Sequence, residues 1–118
     1  MAHELDIEHI ASRVSSGDTV SIGVDSILRD DKIVYNLSVV VRVQKNKVAL
    51  IWTTDIEDDI TDDLYRDMYE LNLLSSLYRD LYYCIKDNDI SFSVKIHKKW
   101  FNRFKYEPRN NRLKIDNL

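Results

Sequence analysis

Residues 55–70 hold the densest group of ionisable side chains in the chain. Eight carboxylates stand against the single base Arg66. They are Asp55, Glu57, Asp58, Asp59, Asp62, Asp63, Asp67 and Glu70. Such a run steers and pairs with the lysines and arginines of a partner, and the interleaved Tyr65 and Tyr69 supply contact area for a protein interface. A solvated loop followed by the first turn of a helix accounts for the same charges, because carboxylates stabilise helix N-termini.

The sequence offers little support for catalysis or for metal binding. His3, His9 and His97 lack the spacing of metal ligands. The sequence has no His-Glu-x-x-His motif, Gly-rich phosphate loop or nucleophile elbow. The segment 55–59 lacks the glycine and terminal glutamate of a calcium loop. Cys84 falls in an apolar segment, so we expect it to be an inert core residue. The sequence therefore predicts a binding protein, not an enzyme, with no cofactor and no metal.

A second charged segment, residues 95–114, is basic. Its bases are Lys95, Lys98, Lys99, Arg103, Lys105, Arg109, Arg112 and Lys114, against the single acid Glu107. They alternate with aromatic residues, a pattern that fits either a stacking platform for single-stranded nucleic acid or the wet and buried faces of one strand. The net charge of −3 disfavours nucleic-acid binding, since such domains are normally basic. In a third interpretation, these bases neutralise the acidic run within the fold.

Length and composition indicate how many domains the chain forms and in which cellular compartment it is expected. The 118 residues favour a single domain spanning 1–118. The lone cysteine excludes an internal disulfide, and the N-terminus has neither a basic region nor an apolar region of a signal peptide. Apolar runs are only a few residues long, far below the roughly 20 needed to span a bilayer. A cytoplasmic protein without a membrane partner is the expectation.

Hydrophobic periodicity predicts the element order α-β-β-β-α-β-β. The helices fall near 3–14 and 60–85, and the strands near 20–24, 33–43, 47–54, 90–96 and 100–106. Short polar turns between the first three strands predict an antiparallel meander. The whole is an α+β domain with an antiparallel sheet of about five strands and the helices on one face. Residues 109–118 suit a flexible tail, a short helix or an extra strand.

The second helix is predicted from one apolar stripe at intervals of three and four residues. The stripe consists of Ile60, Leu64, Met68, Leu71, Leu74, Leu77, Leu81 and Ile85. Thr61 or Asp58 is the expected N-cap. Asn72 and the pair Ser75-Ser76 are weak helix formers and mark a position for a kink.

A small, Tyr-rich α+β chain with a dense acidic patch resembles the immunity proteins that bacteria pair with secreted or contact-delivered toxins. The resemblance implies that the chain binds a toxin domain, such as a basic nuclease, and occludes its active site. The element order is also similar to that of the small acidic chaperones of type III secretion, which dimerise. A single-stranded nucleic-acid-binding module is the third alternative. The expected partner-binding residues are Glu57, Asp58, Asp59, Asp62, Asp63, Tyr65, Asp67 and Tyr69.

Overall fold

The computed structural model describes residues 5–85, 90–96, 99–101, 104–107 and 112–115, with side chains described only within 5–85 and at Ile90. The helices are α1 (Ile7–Ser12) and α2 (Asp63–Cys84), and the strands are β1 (Thr19–Arg29), β2 (Lys32–Val43), β3 (Val48–Asp58), β4 (Ser91–Ile96), β5 (Lys99–Phe101), β6 (Phe104–Glu107) and β7 (Arg112–Ile115). Within these residues, neither helix combines the length and the hydropathy that a membrane span requires.

The first three strands form the expected antiparallel meander, and α2 then carries the chain back along the sheet. The five-stranded sheet has the order β3-β2-β1-β4-β5. β4 pairs with β1 in the parallel sense, while β5 pairs with β4 in the antiparallel sense. A parallel pair requires a long crossover connection, which α2 supplies. The fold is α+β, as predicted, but its larger sheet is mixed, so the prediction of an entirely antiparallel sheet is wrong.

The predicted strand count and order after α2 are wrong. The described residues beyond α2 form four strands, and the strand expected at 100–106 is divided between β5 and β6. β5 belongs to the large sheet, whereas β6 pairs with β7 in a separate two-stranded sheet. Alternation reports the faces of a strand and not its pairing partner, so a break between sheets leaves no mark in the pattern.

The hydrophobic core lies on one face of the large sheet. Register places Val20, Ile22 and Val24 of β1 opposite Val41, Val39 and Leu37 of β2, and all six are buried. α1 covers this face with Ile10, and α2 covers it with Leu74, Leu77 and Leu81. Fully burying one such side chain contributes about 1.5–3 kcal/mol. The helices therefore pack on one face of the meander, as predicted.

The predicted stripe of α2 is correct only in the C-terminal half of the helix. Leu64 and Met68 are 69% and 57% exposed, and Ile60 and Leu71 are also exposed. In this half of the helix Glu70 faces the sheet instead, because the sheet offers polar and aromatic partners there. The Ser26 hydroxyl of β1 donates to Glu70, and Tyr35 of β2 contacts Tyr69. The helix runs without a break through the expected kink. Cys84, expected in the core, is exposed.

Candidate functional site

Chain connectivity brings three acidic segments to one end of the large sheet. They are the β1–β2 turn with Asp30 and Asp31, the end of β3 with Asp55, Glu57, Asp58 and Asp59, and the start of α2 with Asp62, Asp63 and Asp67. The register pairs Leu28 with Ile33 and Ile33 with Asp58, so the turn lies beside the end of β3. We call these three segments the acidic end. The bases among them are Arg29, Lys32 and Arg66.

The β1–β2 turn contributes two carboxylates that were not among the predicted site residues. Asp30 and Asp31 both have positive φ, 51° and 62°, as a two-residue type I′ hairpin turn requires. Aspartate tolerates this backbone region better than most residues, because its short side chain bonds to nearby backbone. The Asp-Asp pair was readable as a turn from the sequence, but its position beside the start of α2 was not.

Two of the predicted contact carboxylates hold the acidic end together. Asp62, and not Thr61 or Asp58, is the N-cap of α2, and its side chain accepts a hydrogen bond from the Tyr65 amide at 2.9 Å. Asp58 accepts from the Tyr65 hydroxyl at 2.8 Å and from the Ile60 amide at 2.9 Å. The hydrogen bond to Asp58 is the main cause that raises the pKa of Tyr65 to about 12.

The two predicted contact tyrosines form a stack that leads into the core. The rings of Tyr65 and Tyr69 are stacked with centroids 5.6 Å apart. Tyr69 meets Tyr35 edge to face at 4.6 Å, and Tyr35 is fully buried. Burial, followed by the nearby carboxylates Asp58 and Glu70, raises the pKa of Tyr35. The half-buried Tyr65 and Tyr69 thus anchor the start of α2 on the sheet.

A polar network fixes the same turn of the helix to β1. Arg66 donates from Nε to the Ser26 hydroxyl at 2.6 Å and from Nη2 to the Ser26 carbonyl at 2.7 Å. The Ser26 hydroxyl donates to Glu70 Oε1, which lies 3.9 Å from Arg66 Nε. Glu70 is buried, so its carboxylate belongs to the interior and not to the surface run. The i, i+4 spacing of Arg66 and Glu70 was the available sequence signal.

The remaining predicted carboxylates lie at the surface. Glu57, Asp59, Asp63 and Asp67 are exposed. Asp59 pairs with Lys32 at 3.7 Å, but both side chains are largely exposed, so the pair adds little stability. A surface depression of about 320 Å³ lies beside the start of α2. Its lining residues are Asp25, Ser26, Asp63, Arg66, Asp67 and Glu70. Such a depression suits the ammonium or guanidinium group of a partner.

Exposed apolar side chains accompany these carboxylates. On α2, Leu64 and Met68 are exposed one turn apart, and Ile60 is exposed just before the helix. On β1, Ile27 and Leu28 are exposed next to the turn. Single exposed apolar residues need no explanation, but several at one end of a small protein are typical of an interaction surface. The acidic end therefore combines carboxylates, which attract a basic partner, with apolar side chains, which are able to pack closely against it.

The basic segment does not form the single strand expected for a stacking platform. Trp100 lies on β5 and Phe104 on β6, which belong to different sheets. Lys98, Arg103 and Arg109 lie outside the described residues. The predicted alternation of aromatic and basic residues along one continuous strand is therefore wrong.

No protein-family model, characterised protein or solved structure matches this chain. Among the described residues, no three His, Cys, Asp or Glu side chains are grouped so that they would hold a metal ion. The function is accordingly inferred from the geometry of the acidic end.

Proposed function

We propose that this chain is an immunity-type protein that binds a basic toxin domain, with a nuclease as the expected class, and neutralises it by covering its active site. The observation that carries the proposal is the convergence of the β1–β2 turn, the end of β3 and the start of α2 at the acidic end. Its carboxylates outnumber its three bases, one of which, Arg66, is bound inward to Ser26.

The charge of the acidic end supports a basic partner. A surface of one sign raises the association rate of an oppositely charged protein by long-range steering, and it disfavours partners of like charge. A nuclease binds a polyanion, so its active-site cleft carries basic side chains. Carboxylates presented on a protein surface mimic that ligand, which explains why an acidic end is suited to occlude such a cleft.

The interior of the acidic end supports tight binding, because the surface is already organised. Asp62 caps α2, Asp58 holds the Tyr65 hydroxyl, and the Ser26 network fixes the helix to β1. A preorganised surface loses less conformational entropy on binding. Exposed Leu64 and Met68 supply apolar anchors, which commonly carry most of the binding energy at the centre of an interface.

The test begins with the product of the reading frame next to the gene for this chain, produced in a bacterial host with and without it. Protection should depend on Asp63 and Asp67, which are exposed and do not cap the helix. In purified form, D63K/D67K should associate with that product at least about tenfold more slowly and show a weaker dependence on salt. L64S should raise the dissociation rate by about tenfold, because an apolar anchor is lost.

The matched control is E8K/D80K, which reverses two carboxylates on α1 and the C-terminal half of α2 and should bind within about twofold of the parent. Circular dichroism confirms that all variants are folded. Equal protection by D63K/D67K and by the control would refute the proposal, as would a neighbouring product that does not bind the parent chain.

A further inference from the structure

β3 is an edge strand of the large sheet, and its outer edge is uncovered by any strand in the described part of the chain. It pairs with β2 alone, over an uninterrupted register from Val43–Val48 to Ile33–Asp58. At 11 residues it is long for an edge strand. Its outer row of amide and carbonyl groups is thus a template on which another strand can pair.

β3 lacks most devices that protect natural edge strands. Short length, a proline, a bulge or a central lysine would prevent edge-to-edge pairing. None of these interrupts β3, and the stretch Val48–Thr54 contains no charged residue. Ile51 is 64% exposed and Val48 is also exposed, so the apolar stretch meets solvent. An edge of this kind is expected to have an occupant.

The charges at the two ends of β3 specify which occupant fits. The strand is preceded by Lys45 and Lys47 and ends in Asp55, Glu57 and Asp58, followed by Asp59. A parallel copy would place carboxylate beside carboxylate. An antiparallel copy places the basic end of one strand against the acidic end of the other, which is the self-complementary arrangement of a two-fold interface.

One antiparallel register satisfies both charge and face. With Trp52 opposite Trp52 of the second copy, Val48 lies opposite Ile56, and Lys47, the last residue of the β2–β3 turn, lies next to this register beside Glu57. Within β3, residues of odd number lie on the open face and residues of even number on the core face, so every opposed pair of strand residues shares a face. Ile51 then lies opposite Thr53, and the half-buried Trp52 continues the apolar face across the junction.

We infer that two copies of this chain pair antiparallel through β3, joining their sheets into one continuous sheet centred on Trp52. The inference rests on the edge strand and its charges, independently of the proposed function. It is tested without any partner protein, so its failure leaves the toxin proposal standing and the converse also holds.

The test is sedimentation velocity of the full chain at concentrations from about 1 to about 200 µM, near the dissociation constants of modest interfaces. The parent should form a concentration-dependent dimer. K47E and E57K should each weaken it by about tenfold, because both copies of the pair become repulsive. An equimolar mixture of the two variants should restore dimers, since every pair then joins opposite charges.

Two further variants complete the design. The double exchange K47E/E57K should dimerise within about threefold of the parent, because the charges are swapped and not removed. I51K places a charge in the centre of the strand and should be monomeric throughout. A parent that stays monomeric at the highest concentration overturns the inference. So does a dimer that neither single variant weakens, or a mixture that fails to recover.

Discussion

The network of Arg66, Ser26 and Glu70 is predicted to be a strongly coupled unit. Replacing Arg66 by methionine leaves the buried carboxylate of Glu70 without its cation. At 3.9 Å and an effective dielectric constant of 20, the attraction between two unit charges is about 4 kcal/mol. Because the Arg66 side chain is 28% exposed and thus screened by water, we expect R66M to lower the free energy of unfolding by about 3 kcal/mol.

Replacing Glu70 by methionine should lower the free energy of unfolding less than replacing Arg66. In E70M the guanidinium keeps both hydrogen bonds to Ser26 and reaches solvent, while the new side chain adds apolar burial, so the expected loss is about 1 kcal/mol. In R66M/E70M neither charge of the network remains, and the expected loss is about 2 kcal/mol rather than the additive value of about 4. The coupling free energy is then about 2 kcal/mol.

Urea unfolding followed by circular dichroism measures all three losses, with equal m-values as the condition for comparison. R79M is the matched control. Its partner Asp80 lies at 3.2 Å, but the two side chains are 32% and 46% exposed, so the loss should stay below about 1 kcal/mol. Additive losses in the double variant, or an R79M loss equal to that of R66M, would refute the reasoning.

Two further predictions concern Asp18 and Tyr65. Asp18 is buried and accepts hydrogen bonds from two backbone amides at 2.9 Å, so D18A should lower the free energy of unfolding by about 2–3 kcal/mol in urea titrations; a loss below about 0.5 kcal/mol would contradict this role. The pKa of Tyr65 lies at about 12 in the folded chain, above its ordinary value of 10.0, so folding favours the protonated phenol. The stability that it contributes is complete below pH 10 and is lost as the pH rises towards 12. Stability measured over this range should fall less steeply in Y65F than in the parent. Identical slopes in Y65F and the parent would exclude the Asp58 hydrogen bond as the cause.

The first half of the fold was predictable because alternation and burial agree there. Alternation in the segment 33–43 predicts one shared face for Ile33, Tyr35, Leu37, Val39, Val41 and Val43; the first five are buried and Val43 is half-buried. In a strand with one face in solvent, every second residue is apolar, so the sequence itself shows which face is buried. Short turns then leave few ways to connect neighbouring strands, so the meander follows from local pattern alone.

The start of α2 was not predictable from the same kind of pattern. Leu64 and Met68 continue the spacing of Leu74 and Leu77, yet they face solvent. The helix is oriented there by partners distant in sequence, above all Ser26 on β1. A hydrophobic stripe shows which side chains are able to be buried. The polar network around Ser26 determines how the helix is oriented, and therefore which of those side chains are buried. An apolar stripe left exposed beside carboxylates is therefore informative about function, since packing does not account for it.

The acidic end and the outer edge of β3 overlap at the C-terminal end of that strand. This overlap determines how partner binding and self-association affect each other. Glu57 would lie beside Lys47 of a second copy, whereas Asp63 and Asp67 lie on α2, apart from the pairing edge of β3. Pairing through β3 would neutralise part of the carboxylate charge and leave that of the helix facing a partner. A dimer would then present two acidic ends related by a two-fold axis. Because the two surfaces overlap only at the end of β3, substitutions on α2 report on partner binding and exchanges at positions 47 and 57 report on self-association.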